Sequence, residues 1–176
     1  MYSDPSISMV EQVEQLGTGH AVRMALPELR ENSKVVILYG DVPLITSETI
    51  SQMLCAVTDK SIGLLTIQLA DPQGYGRIIR DAEGQIEAIV EQKDASPEQL
   101  EVNEVNTGVM SLTSELLAQW LPLIDNNNAQ GEYYLTDLIA IARRAGYSIN
   151  AVQPGSVSEV EGVNNRQQLA ALERAY

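Results

Sequence analysis

Asp41 follows Val35-Val36-Ile37-Leu38, an apolar and β-branched run that stops at Tyr39-Gly40, so its carboxylate falls at the carboxyl end of a strand. Ligands of open α/β sheets gather at that end, and a hard carboxylate there suits Mg²⁺ held against a phosphate. A solvated aspartate in a strand-end turn has the same local signature. Gln15-Leu16-Gly17-Thr18-Gly19-His20 is a glycine-rich turn opening a short helical stretch, Ala21 to Leu26, that Pro27 interrupts. Such a turn lets backbone approach a ligand and offers unpaired N–H groups, or it is a plain turn. It completes neither a phosphate-binding Gly-Lys-Ser/Thr loop nor a dinucleotide fingerprint. His20, the single histidine, reads as a structural or capping residue.

Three further stretches carry polar groups at strand ends. Asp71-Pro72-Gln73-Gly74-Tyr75-Gly76-Arg77 is a tight turn whose glycines bring backbone N–H groups over the sheet. Asn103-Glu104-Val105-Asn106-Thr107-Gly108 has the short amides that read sugar hydroxyls, although Asn and Gly also mark turns. In Glu159-Val160-Glu161-Gly162-Val163-Asn164-Asn165, Asn165 suits a helix cap and Asn164 can turn its amide oxygen to a cation. The chain has no Cys/His cluster for zinc, no nucleophile elbow and no Ser/His/Asp set, so no residue is assigned as a catalytic nucleophile or base.

The elements that must position these groups alternate between strand and helix patterns, the mark of an α/β fold. After the strand at Val35 to Leu38, Ile50, Met53, Leu54 and Val57 recur at helical spacing, with Thr46 or Ser47 as cap and Glu48 in the first turn. Ile62 to Leu69 is a second strand, and the β-α-β order predicts a parallel pair. Arg77 to Arg80 and Gln85 to Glu91 flank Asp81-Ala82-Glu83-Gly84 as a hairpin laid over the sheet. Val105 to Leu112 is a strand. Leu116, Leu117, Trp120 and Leu121 mark a helix that Pro122 helps to end, and Leu135, Leu138, Ile139 and Ala142 mark another, stopped at Gly146. Ser148 to Val152 gives a last strand, and Asn165 to Tyr176 a terminal helix with Leu169, Leu172 and Tyr176 on one side.

The 176 residues fit one domain, and no repeat, low-complexity tract or linker divides them. With aromatics at 5% and no Phe, aliphatic side chains supply the core. A formal net charge of -13 argues against nucleic acid as a partner, since displacing phosphate counterions needs a basic surface. A phosphorylated small molecule then needs a metal ion and local N–H groups. Cys55, the lone cysteine, reads as a small buried hydrophobe and points to a reducing, cytoplasmic setting. No apolar run crosses a bilayer and no signal peptide pattern opens the chain, so a membrane association is not expected.

Taken in order, Gln15-Leu16-Gly17-Thr18-Gly19-His20-Ala21, Leu38-Tyr39-Gly40-Asp41-Val42-Pro43-Leu44, Asp71-Pro72 with Gly74-Tyr75-Gly76-Arg77-Ile78, Val90-Glu91-Gln92-Lys93-Asp94-Ala95, Asn106-Thr107-Gly108, Asn126 through Asp137, and Ser158 through Arg166 resemble one family closely. It is the uridylyltransferase domain of the bacterial bifunctional N-acetylglucosamine-1-phosphate uridylyltransferase/glucosamine-1-phosphate acetyltransferase. The resemblance implies a Rossmann-like nucleotide-diphospho-sugar transferase fold of the α/β class, with a mixed, mostly parallel sheet and a small β-hairpin. It implies transfer of UMP from UTP to N-acetylglucosamine-1-phosphate, giving UDP-N-acetylglucosamine for the cell wall and releasing pyrophosphate. By the same resemblance Asp41 and Asn164 are Mg²⁺ ligands. Gln12, Gly17 and Thr18 read uracil. Gly76, Glu91, Asn106 and Thr136 contact the N-acetylglucosamine moiety, and Tyr39 and Tyr134 line its pocket.

The family's first strand and the Arg- and Lys-bearing loop that wraps the triphosphate have no counterpart here, nor has its left-handed β-helix domain. The expectation is therefore a single partial domain over residues 1–176, truncated at its amino end and impaired or inactive alone, because positioning and electrostatics are most of what an enzyme contributes to such chemistry. A non-catalytic sugar-nucleotide-binding remnant and a structural or interaction module are the alternatives. A missing central strand would leave backbone edges open. Either Ser6 to Gln15 reorganises over the gap or two chains cover it as a homodimer.

Overall fold

The computed structural model describes residues 6–163 and 165–174. Its elements run α1 (Thr18–Ala25), β1 (Lys34–Ile37), α2 (Ser47–Cys55), β2 (Ser61–Gln68), β3 (Arg77–Arg80), β4 (Ile86–Val90), α3 (Pro97–Leu100), β5 (Glu104–Thr113), α4 (Ser114–Trp120), α5 (Asp137–Arg144), β6 (Ser148–Val152) and α6 (Arg166–Leu172). Sequence capping signals set several boundaries. Thr46 caps α2 by accepting from the Thr49 amide at 3.2 Å, Ser96 and Gln99 close a capping box on α3, and the Asn165 side chain accepts from the Gln168 amide at 2.9 Å. α3, with only one turn of pattern, has no periodicity by which the sequence could announce it.

One six-stranded sheet has the order β4-β3-β5-β2-β6, with β1 also paired to β5. β1, β2 and β3 are each antiparallel to β5, β6 is parallel to β2, and β4 is antiparallel to β3. It follows that β1, β2, β3 and β6 share one direction, while β5 and β4 oppose it. The sheet is mostly parallel in strand direction even though most hydrogen-bonded pairs are antiparallel. The parallel pair expected of β1 and β2 is corrected in one respect: they run the same way but β5 lies between them. The β3–β4 hairpin is corrected as well, since it extends the sheet through Arg77 opposite Val105 and does not lie over it.

Both faces of the sheet are covered, which explains why β2 reads as a continuous apolar run with every residue buried except its last. Alternate residues feed two cores. Ile62, Leu64, Met110 and Leu112 pack with Leu117, Trp120, Leu138 and Ile139 of α4 and α5; Leu65, Ile67, Val105 and Val109 pack with Met53 of α2 and with Val160. Since Met53 and Thr49 form the buried side of α2, Cys55 projects away from it and is exposed, contrary to the buried hydrophobe expected.

Between Leu64 and Thr66 the β2–β5 register jumps, so that this short step of β2 faces the longer stretch from Met110 back to Asn106. The extra residues form a bulge at Thr107-Gly108-Val109, pinned where the Thr107 hydroxyl donates to the Leu65 carbonyl at 2.9 Å. Residues 6–15 adopt no strand, and among the described residues β1 pairs only with β5, so its outer edge is open. Ser6 to Gln15 therefore adds no strand to that edge. No helix among the described residues is long and apolar enough to cross a membrane.

Candidate functional site

At the carboxyl end of β1 the chain turns sharply, the Val42 amide donating to the Tyr39 carbonyl at 3.2 Å. This turn swings Tyr39 under the β5 bulge. Gly108, at φ 87°, leaves room for the ring: a Cβ there would lie 2.5 Å from a Tyr39 ring carbon. The bulge also bends Asn106 into a defined pose, its side-chain oxygen accepting from the Gly108 amide at 3.0 Å and its own amide donating to the Gly76 carbonyl at 2.9 Å.

The glycine-rich turn closes another side. Leu16, Gly19 and Thr18 are stitched to the 133–135 backbone by bonds of 2.8, 2.8 and 3.1 Å, and Gly17 at φ 108° sits where a Cβ would meet the Tyr133 carbonyl at 2.8 Å. This close approach holds Tyr134 and Thr136 in place opposite β4. There the Thr136 hydroxyl donates to Glu91 at 3.1 Å, while Gln130 donates to the Tyr134 hydroxyl at 3.0 Å.

The result is a cleft of about 260 Å³ lined by Thr18, Tyr39, Gly76, Glu91, Asn106, Tyr134 and Thr136, together with Gly74, Tyr75, Thr107, Gly108, Gln130 and Glu132. Larger hollows lie elsewhere, of about 390 Å³ beside Leu26 and Glu115, about 490 Å³ beside Lys34 and Asp59 and about 430 Å³ beside Arg80 and Glu104, but this cleft gathers Glu91 with three tyrosines of raised pKa, Tyr39, Tyr75 and Tyr134. Burial pushes the Glu91 carboxyl above the ordinary carboxylate range, Asp94 adds to the rise, and the Thr136 hydrogen bond only partly opposes it. Burial likewise raises the Tyr39 phenol, with Glu91 and Asp41 adding and a Thr18 hydrogen bond opposing, so the ring stays neutral near pH 7. Tyr75 is raised by burial and by the Glu161 charge, and Tyr134 mainly by burial.

No Lys or Arg lines the cleft among the described residues. Nearby cations are engaged: Arg77 donates to the Tyr75 carbonyl, Arg23 to the Leu121 carbonyl at 2.8 Å, and Lys93 to the Gln130 side chain at 2.5 Å. Neutral tyrosine faces, the Glu91 and Glu132 carboxylates and fixed amides suit a polyhydroxylated ligand, whose hydroxyls donate to Glu91. An anionic group entering the same cleft needs an added cation.

Of the residues singled out in the sequence, Thr18, Tyr39, Gly76, Glu91, Asn106, Tyr134 and Thr136 are brought together here. Gln12 and Gly17 flank them without lining the cleft, the Gln12 amide donating to the Gly17 carbonyl at 3.2 Å and meeting His20 Nδ1 at 3.0 Å. That contact gives His20 the structural role expected. Asp41 is exposed, close enough for its charge to act on Tyr39, and has no Lys or Arg ion partner among the described residues. Asn164 lies outside the described residues, but the preceding Val163 amide donates to the Asp41 carbonyl at 2.8 Å. No group of three or more His, Cys, Asp and Glu is arranged to hold a metal among the described residues. An unpaired carboxylate at a strand end nonetheless fits Mg²⁺, which uses one or two carboxylates with ligand phosphates and water.

Tyr75, Thr107, Gln130 and Glu132 line the cleft without having been assigned to it from sequence. Their signal was available in the glycine-flanked Tyr75 and the polar run before Tyr133, yet turn chemistry explained both equally well.

The chain is similar to known proteins in sequence and in fold. Residues 3–156 match the Nucleotidyl transferase family. The chain is 56% identical over 172 residues to the Bifunctional protein GlmU of Cellvibrio japonicus, covering 98% of this chain and 38% of that protein. It is 55% identical over 169 residues to the Bifunctional protein GlmU of Idiomarina loihiensis, covering 96% and 37%. The chain thus spans well under half the length of these curated relatives. The crystal structure of UDP-glucose pyrophosphorylase complexed with UDP-glucose shares the fold at a TM-score of 0.70 and 19% identity, over 96% of this chain and 66% of that one.

Proposed function

The chain belongs to the Nucleotidyl transferase family, and from that premise we propose that it is an N-acetylglucosamine-1-phosphate uridylyltransferase-type domain whose ligands are UTP with N-acetylglucosamine-1-phosphate, or UDP-N-acetylglucosamine. The observation that carries this reading is the convergence of Tyr39, Glu91, Asn106, Tyr134 and Thr136 on one cleft beside Asp41. The names of the relatives support the choice of sugar nucleotide.

In the reaction, an oxygen of the sugar phosphate attacks the α-phosphorus of UTP and the bond to pyrophosphate breaks. Glu91 accepts from sugar hydroxyls, and the Asn106 and Thr136 side chains orient the N-acetyl sugar. Tyr39 and Tyr134 exclude water from its faces. The Gly17-Thr18 turn, with Gln12 behind it, presents backbone and hydroxyl groups to the uracil. Asp41, with Asn164, would hold Mg²⁺, which when bound offsets phosphate charge at the reacting centre. Because no Lys or Arg lines the cleft among the described residues, we read the chain on its own as weak or inactive in turnover while retaining sugar-nucleotide binding. The remaining parts of the reading are a cytoplasmic setting and a homodimer that covers the open edge of β1.

Calorimetry with UDP-N-acetylglucosamine, with and without Mg²⁺, tests the binding claim. Tighter binding with Mg²⁺ is expected, and Asp41→Ala is expected to abolish that difference. No binding under either condition would sink the reading. Pyrophosphate release from UTP and N-acetylglucosamine-1-phosphate at the rate of a complete enzyme would overturn the claim of impaired turnover.

A further inference from the structure

Glu159 is 6% exposed, yet no Lys or Arg pairs with it among the described residues. Its carboxylate is satisfied entirely by neutral donors. One oxygen accepts from the Thr49 hydroxyl at 2.5 Å, the Thr46 hydroxyl at 2.8 Å and the Thr46 amide at 3.3 Å; the other accepts from the Gly155 amide at 2.8 Å. The approach is close, since a Cβ on Gly155 would lie 2.9 Å from the carboxylate. Burial pushes this carboxyl up, but the Thr49 and Thr46 bonds outweigh it and hold the group below the ordinary carboxylate range.

The partners of this carboxylate define a frame. Thr46 is the end of the loop that begins at Asp41, and Glu159 is the start of the segment that ends at Val163. The loop and the segment are tied at both ends: Thr46 to Glu159 by the carboxylate, and Asp41 to Val163 by a backbone bond of 2.8 Å. Between the ties Val160 is buried against Met53 and Leu65, so the segment cannot slide without leaving the core. A buried charge without a counter-charge is a poor device for stability alone, because an apolar side chain of similar size avoids its desolvation. It is a good device for fixing two backbones at one distance, because four donors with set directions accept few alternatives.

We propose that Glu159 is a positioning residue that clamps the 155–163 segment to the amino end of α2 and thereby holds Val163 against the Asp41 turn, where the reading above puts a divalent cation. The inference rests on the metal reading above, and it deepens that reading by assigning the residue that sets the geometry of the cation site.

The test measures hydrogen exchange at the amides of 160–163 and Mn²⁺ affinity by electron paramagnetic resonance, with UDP-N-acetylglucosamine present, in the wild type, Glu159→Gln, Thr49→Val and Asp41→Ala. Thr49→Val withdraws a single donor and serves if Glu159→Gln does not fold. In both clamp variants the Val163 amide is expected to exchange faster and Mn²⁺ to bind about tenfold more weakly, the usual scale for removing the support of a metal ligand. Sugar-nucleotide binding in metal-free buffer is expected to stay the same. Unchanged Val163 exchange overturns the inference. Faster exchange with unchanged Mn²⁺ affinity, where Asp41→Ala loses it, reduces Glu159 to a structural clamp and leaves the metal reading standing. If Asp41→Ala binds Mn²⁺ as the wild type does, the metal reading falls and the inference with it.

Discussion

Glu91 is a half-buried carboxyl in a cleft that no Lys or Arg lines among the described residues, and burial works against its charged form. Its raised proton affinity means that it stabilises the fold when protonated, at pH below the ordinary carboxylate range, and that this contribution is lost as pH rises through the raised value. Glu91→Gln is therefore expected to unfold at the same temperature as the wild type or higher near pH 7, with the difference shrinking in mild acid, as followed by circular dichroism. The same variant is expected to bind UDP-N-acetylglucosamine about 10–100-fold more weakly by calorimetry, because a hydrogen bond to a charged acceptor is worth about 1.5–3 kcal/mol. Gly108→Ala faces a different obstacle, a left-handed backbone and a ring carbon at 2.5 Å. A loss of about 1–3 kcal/mol in denaturant unfolding is expected, with weakened ligand binding as Tyr39 is displaced. The role of Gly108 was hard to read from its own neighbours, since nothing local says that Tyr39, just after β1, packs against it. The place of Asp41 after a strand was more legible because an apolar run ending in a carboxylate is a local pattern, whereas Cys55 was misread because its helix buries the face set by Met53.

The strands and helices themselves were largely legible, because hydrophobic period and capping residues are local properties: Thr46 before α2, Gly146 after α5 and the Asp81 to Gly84 turn all mark real boundaries. Pairing is not local. Nothing in Val105 to Leu112 discloses that it lies between β1 and β2, or that a bulge at Gly108 offsets its register. A polar network that anchors this strand was equally hidden. Glu104, 7% exposed, accepts two bonds of 2.7 Å from Arg80 and one of 2.9 Å from Thr66, tying β3, β5 and β2 together. Burial raises the Glu104 carboxyl, but Arg80 and Thr66 more than offset it and hold it below the ordinary range. Its contribution is thus present above the ordinary carboxylate pKa and lost as pH falls through the lowered value. Arg80→Ala strands the carboxylate, and a destabilisation of about 2–3 kcal/mol at pH 7 is expected, below the full figure for a buried pair because Arg80 is partly exposed. Denaturant melts at descending pH check the sign: the deficit of the variant should narrow as Glu104 protonates.

At the scale of the whole molecule, the outer edge of β1 is unpaired among the described residues, and Met9 and Val13 of the amino-terminal segment are 92% and 81% exposed. Unpaired backbone and exposed apolar side chains each invite association, either an ordered dimer or adventitious aggregation. Met9→Lys with Val13→Lys is expected to leave the unfolding free energy within about 0.5 kcal/mol of the wild type, as befits solvent-facing positions, while lowering the weight-average mass in sedimentation at high concentration. A mass that does not respond would remove this segment from any self-association. The same topology has a consequence in time. β5 is the partner of β1, β2 and β3, and it follows all three in the chain; Lys34 waits for Thr113, and Ser61 for Ser148. Apart from the β3–β4 hairpin, no pair of neighbouring strands can form before residue 104 exists. A chain emerging from the ribosome therefore carries two apolar strands, β1 and β2, unpaired until β5 follows them, and the late arrival of that strand into the middle of the sheet is expected to slow folding.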